Sequence, residues 1–190
     1  MSAESGDDDG LGAALLARAR NAIGSAFGRM PQVEPAHRAL RLPGATFVSL
    51  HIDGELRGCI GRLEAARALE DDVRANAAAA AFADPRFAPL TDDEFDRIDI
   101  EVSVLEPAQR IDASSEAQAI AALQPDIDGV ILEWRGRHAT FLPQVWASLP
   151  DRHDFLAALR QKAGLDAGFW SPDIALSRYR VRAFHEPVRP

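Results

Sequence analysis

Two periodicities alternate along this chain. Leu11, Leu15, Ala19 (or Leu16) and Ile23 recur at helical spacing and predict a helix over Leu11–Phe27, frayed by Gly24 and Gly28. Leu69, Val73, Ala77 and Ala81 form a four-residue ridge, with five successive alanines from Ala77 to Ala81, and predict a helix over Arg67–Ala83. Glu70, Asp71 and Asp72 suit its positive N-terminal end, and Asp84-Pro85 ends it. Period-two alternation marks Thr46–Ile52, Glu55–Ile60 and Ile98–Val104 as strands. The first two read as a hairpin about Asp53-Gly54. A loop of Ile52-Asp53-Gly54 would set Leu50 opposite Leu56, Val48 opposite Gly58 and Thr46 opposite Ile60, keeping one face apolar. His51–Glu55, Ser49–Arg57 and Phe47–Cys59 would then form a more polar face, with Arg57 and Cys59 side by side.

The rest of the chain mixes short helices with hairpins. Met30–Gly44, with three prolines, reads as a long connection, and Thr91-Asp92-Asp93-Glu94 as a capping box. Ser114–Leu123 and Asp151–Ala163 read as helices, the second stopped by Gly164. Gly129–Trp134 and His138–Leu142 make a second hairpin, Pro143–Leu149 a short turn or helix, and Ala175–Phe184 a final strand. This is an α+β pattern, a mostly antiparallel sheet flanked by helices, rather than a regular β-α-β alternation.

Composition narrows the class without naming a function. At 190 residues, 47% hydrophobic and 26% charged, the chain is long enough to bury a core unaided. One cysteine allows no internal disulfide or multi-cysteine metal cluster. The histidines show no ligand spacing, so no metal and no permanent cofactor is expected. Met1–Gly10 lacks the basic and apolar regions of a secretory signal and reads as a disordered acidic tail. No apolar run reaches the roughly 18 residues that span a bilayer, and the lone cysteine suits a reducing cytoplasm, so a cytoplasmic protein is expected. A net charge of −8 argues against nucleic acid as a general partner.

The chemistry concentrates in Leu56-Arg57-Gly58-Cys59-Ile60-Gly61. Glycine weakens a strand and opens its backbone to close approach, so two glycines around a lone thiol ask for a reason. In a functional reading Cys59 is a reactive thiol, with Arg57 binding an anion and favouring the thiolate. Gly58 and Gly61 would then admit a ligand, Glu101 would act as acid–base group with Ser103 on its strand face, and Arg86 and Gln144 would line the cleft. The plain alternatives are a small buried thiol, a structural salt bridge for Arg57 or Glu101, a helix stop at Asp84–Arg86, and a core Trp146. There is no Gly-x-Ser-x-Gly elbow and no complete phosphate loop.

These stretches together resemble the AMMECR domain family, also called AmmeMemoRadiSam system protein A. Phe47-Val48-Ser49-Leu50 with Gly54–Gly61 looks like its signature, and Asp84-Pro85-Arg86-Phe87 with Pro89-Leu90-Thr91 like its second motif. Ile100–Leu105, Gly129–Leu132, Phe141–Trp146, Lys162–Leu165 and the Tyr179 region follow in order. The resemblance implies a single domain over residues 11–187 with a larger and a smaller intertwined lobe. It also implies a binding or accessory role beside Memo-type and radical S-adenosylmethionine proteins. This chain lacks the three-cysteine cluster motif of the latter, so any iron–sulfur chemistry would sit in a partner. A thiol-dependent enzyme on a small molecule or nucleobase-like substrate, using Cys59, is the alternative. A nucleic-acid-binding regulator is a third.

Overall fold

The computed structural model describes the backbone of residues 3–186 and the side chains of residues 10–186. In chain order its elements are α1 (Ala3–Gly24), β1 (Pro43–Ile52), β2 (Glu55–Gly61), β3 (Arg67–Ala68), α2 (Leu69–Phe82), α3 (Asp92–Phe95), β4 (Asp99–Leu105), β5 (Gln109–Arg110), α4 (Glu116–Ala122), β6 (Gly129–Trp134), β7 (Arg137–Phe141), α5 (Arg152–Lys162), β8 (Ala175–Tyr179) and β9 (Val181–His185). The class is α+β, as the pattern predicts. The chain divides into two compact units, one of residues 1–105 with 182–190 and one of residues 106–181. Among the described residues no helix is long and apolar enough to cross a membrane.

The first unit is a sheet in the order β2-β1-β4-β9, with β3 paired to the start of β1. Val48, Leu50, Ile100 and Val102 face Leu11, Leu15, Ala19 and Ile23 of α1 and Leu69, Val73, Ala77 and Ala81 of α2, the residues that periodicity selects. The start of β1 is fixed by Asp72, buried in α2, whose carboxylate accepts from the Thr46 amide (2.8 Å), the Thr46 hydroxyl (2.7 Å) and Arg67 (2.9 Å). The second unit is a sheet in the order β5-β8-β6-β7. Its core includes Trp146, stacked on Phe155 of α5 with ring centroids 3.7 Å apart, so the core alternative for this tryptophan holds.

Three expectations change. Helix α1 starts at Ala3, so residues 3–10 are helical rather than disordered; Met1 and Ser2 lie outside the described residues. The single strand expected over Ala175–Phe184 divides at Arg180: β8 completes the second sheet and β9 returns to the first.

The third change is the hairpin register. Ile52 pairs with Glu55 and closes a two-residue turn, with Asp53 and Gly54 both at positive φ (54° and 83°). That is the turn Asp-Gly favours, because its twist matches the strands. Continued unbroken, this register would set Leu50 against Arg57 and mix the faces. A β-bulge between Leu50 and His51 makes Arg57 the extra residue, so Leu50 meets Gly58, Ser49 meets Cys59 and Val48 meets Ile60. Core parity is restored by the bulge, not by a longer loop.

Gly58 and Gly61 have packing reasons. A Cβ on Gly58 would overlap the carbonyl oxygen of Ala80, backbone of α2, and one on Gly61 would overlap the Phe47 ring. The space that a ligand would need beside each glycine is taken by the protein itself. Gly58→Ala should therefore lower the unfolding free energy by about 1–3 kcal/mol, the cost of overfilling a packed site. Urea denaturation reads this, and an unchanged midpoint would contradict the close approach of α2 to β2.

Candidate functional site

Strand β2 is the edge of its sheet, so half of its backbone donors and acceptors have no strand to meet. At Cys59 the loop after α2 supplies them. The Cys59 amide donates to Asp84 Oδ2 (2.9 Å), and Arg86 Nη2 donates to the Cys59 carbonyl (3.2 Å). Asp84 is locked in turn by Arg86, through its amide (3.1 Å), Nε (3.0 Å) and Nη2 (2.7 Å). The amide contact is an Asx turn, which Asp followed by Pro invites. Arg86 is thus more than a helix stop: with Asp84 it takes the place of a neighbouring strand.

Arg57, the bulged residue, turns to the same loop. Its guanidinium forks onto Glu94 (2.9 and 3.0 Å) and donates to the Ala88 carbonyl (2.9 Å). Glu94 also accepts from the Thr91 amide (2.9 Å) and hydroxyl (3.1 Å), closing the expected capping box of α3. The guanidinium groups of Arg57 and Arg86 each lie over the Phe87 ring, at 5.9 and 5.4 Å from its centre. The expected side-by-side pairing of Arg57 with Cys59 is replaced by these contacts. The salt-bridge alternative holds, with Glu94 as the carboxylate.

What Cys59 does meet is a polar row crossing the sheet. Ser49 of β1 pairs with Cys59 on one side and Glu101 of β4 on the other, so three side chains stand in line on the face away from the helices. Ser49 Oγ donates to Cys59 Sγ at 3.2 Å. Ser103 Oγ donates to Glu101 Oε1 at 3.1 Å, and His185 Nδ1 of β9 stands 3.8 Å from Glu101 Oε2. Cys59 and Ser49 are half-buried, the Glu101 side chain is 18% exposed and His185 65%. β2 and β4 are not neighbours: Cys59 and Glu101 lie on one face with Ser49 of β1 between them, Ser103 beside Glu101 and His185 beyond it. Gln144 lies outside the row: it is exposed on the turn Pro143–Ala147 of the second unit. Among the described residues no cluster of three or more His, Cys, Asp or Glu side chains is placed to hold a metal ion.

Sequence reasoning puts Ser49 on this polar face but opposite Arg57, because its pairing with Cys59 depends on the bulge, and it misses His185, which depends on β9 being a strand of the first sheet. Asp84 and Glu94 do carry a local signal, the Asx turn and the capping box. Neither signal tells which arginine answers it.

The electrostatics follow from these contacts. Hydrogen bonds from Arg86 hold the Asp84 carboxyl well below the usual carboxylate range, against the opposing effect of burial, with the Cys59 and Arg86 amides adding to them. Arg57 likewise lowers Glu94 from its ordinary 4.5 to about 2, against burial and with help from Thr91. A carboxylate lowered in the folded state contributes stability that is complete above its unfolded value and lost as pH falls through its folded value. Unfolding free energy should thus fall between about pH 5 and about pH 2, where both groups are protonated only in the unfolded chain. Asp84→Asn and Glu94→Gln should each flatten that fall, read by chemical denaturation at each pH. A slope equal to that of the unaltered protein would refute the pairing of that carboxylate.

Comparison with known proteins agrees with this architecture. The AMMECR1 family model matches residues 16–184. A protein of Methanothermobacter thermautotrophicus is 36% identical over 184 residues, covering 92% of this chain and 94% of its own. Protein MJ0810 of Methanocaldococcus jannaschii is 35% identical over 144 residues, covering 74% and 72%. The crystal structure of uncharacterized protein PH0010 from Pyrococcus horikoshii superposes with a TM-score of 0.80 at 30% identity, covering 92% of this chain and 91% of that one.

Proposed function

The chain belongs to the AMMECR1 family, and on that premise we propose that it is a binding or accessory component, acting with Memo-type and radical S-adenosylmethionine proteins through the polar row of its first sheet. One observation carries this reading: the ionic groups of the signature are committed to one another. Arg57 is held by Glu94, while Arg86 and Asp84 close on the backbone of Cys59. The glycines are closed by Ala80 and Phe47. What stays presented is the row Cys59–Ser49–Glu101–His185, a strip of hydrogen-bonding groups with a carboxylate at its centre and an exposed imidazole at its end.

That strip suits recognition better than self-sufficient catalysis. A thiol nucleophile works as a thiolate, made by an adjacent base or cation. Among the described residues no histidine or carboxylate side chain bonds the Cys59 sulfur, and the histidine of the row meets Glu101 instead. A thiol-dependent enzyme acting on a small molecule or nucleobase-like substrate is a second reading. In its favour stand the half-buried thiol, the Ser49 donor and the positive charge of Arg86 nearby.

Glu101→Gln combined with His185→Ala should weaken a complex with such a partner by at least about tenfold, the worth of one charge-assisted hydrogen bond. Cys59→Ser should leave it within twofold of the unaltered protein. Co-purification followed by calorimetry on the full chain measures both. No complex with any Memo-type or radical S-adenosylmethionine protein, or equal affinity for the double variant, would defeat the accessory reading. Loss of function with Cys59→Ser alone, together with rapid labelling of Cys59 by iodoacetamide, would favour the thiol enzyme.

A further inference from the structure

The polar row leaves unexplained a cluster of arginines elsewhere in the first unit. A pocket of about 490 Å³ opens between α1, the start of α2 and the 3-10 turn Arg38–Arg41. Arg18, His37, Arg38, Arg41 and Glu70 line it, with Ala36 and Leu40 as its apolar part. Its volume lies within the range of small-molecule sites. Three guanidinium groups on one concavity are out of keeping with a protein of net charge −8.

Arg18 is the informative residue. It is 7% exposed, in the middle of α1. Its Nη1 donates to the carbonyls of Ala14 and Pro35, both at 2.9 Å, which fixes the guanidinium in place. Its Nε is buried and has no hydrogen-bond acceptor. Glu34 and Glu70 each stand 3.7 Å from that nitrogen, near enough to be counter-ions and beyond hydrogen-bond reach. Glu34 is moreover shared with Arg74, which bonds it directly. Among the described contacts Arg18 and Arg74 share Glu34, and Arg41 adds a further guanidinium at the pocket. A buried donor left without an acceptor is costly, and an anion is the group that would relieve it.

The turn beside it is held by its own cap. His37 caps Arg38–Arg41, its Nδ1 accepting from the Ala39 amide at 3.2 Å. Arg41, the last residue of the turn, is exposed at the pocket. Guanidinium forks match carboxylate and phosphate oxygens alike.

We propose that this pocket binds a small molecule carrying two or more negative charges on phosphate or carboxylate groups, at a site separate from the polar row. Isothermal titration of the full chain with pyrophosphate and with citrate, at low salt, tests it. One-site binding of at least one probe is expected, weakened by added salt. NMR shift changes should centre on the amides of residues 36–41. Pyrophosphate alone would assign the phosphate class, citrate alone the carboxylate class, and both a general dianion site; each supports the proposal. Arg41→Ala, a surface change that leaves the fold in place, should weaken binding about tenfold or more. Arg97→Ala, whose guanidinium pairs with Asp53 elsewhere, should leave it unchanged. Absence of binding by both probes, or undiminished affinity in Arg41→Ala, would overturn the proposal.

Discussion

The carboxylate of Asp84 is the point on which the signature segment depends. Its side chain is 2% exposed, and a buried carboxylate is tolerable only when its oxygens are occupied. Here Arg86 supplies charge and three donors, and the Cys59 amide supplies a fourth. Arg86 completes the exchange by donating to the Cys59 carbonyl. An exposed strand edge is thereby sealed by two side chains instead of another strand. Once the loop lies along β2, Phe87 reaches both arginines and Glu94 comes within reach of Arg57.

Gly58 gives that clamp its geometry. Without a side chain there, the backbone of α2 approaches β2 at Ala80, four residues before Asp84. The alanine run of α2 keeps the helix surface low enough for the same approach. The glycines and alanines that read as weak strand and strong helix are two sides of one contact. Free cysteine fits this picture as a small residue whose backbone is gripped and whose sulfur is left to Ser49.

Much of this was legible in the sequence where the cause is local. Helical ridges, alternating strands, the Asp-Gly turn and the capping box at Thr91 all express short-range rules. The bulge at Arg57 was not legible, because it reconciles two such rules, turn geometry and core parity, that conflict in any unbroken register. Partners were hidden for a different reason. Glu94 lies 37 residues from Arg57, and periodicity does not choose among 29 acidic residues. The polar row shows both sides of this limit: Glu101 and Ser103 could be placed on one face of one strand, whereas Ser49 needed the register and His185 the division of the last strand at Arg180.

Hydrogen exchange at the Cys59 amide tests the clamp most directly. An edge-strand amide pointing away from its only neighbour strand would exchange readily if it met water. In the native protein it should be protected as strongly as amides inside the β1–β2 ladder, and Asp84→Ala should remove that protection selectively while the ladder amides keep theirs. Fast exchange of Cys59 in the native protein, or protection unchanged in Asp84→Ala, would contradict the account.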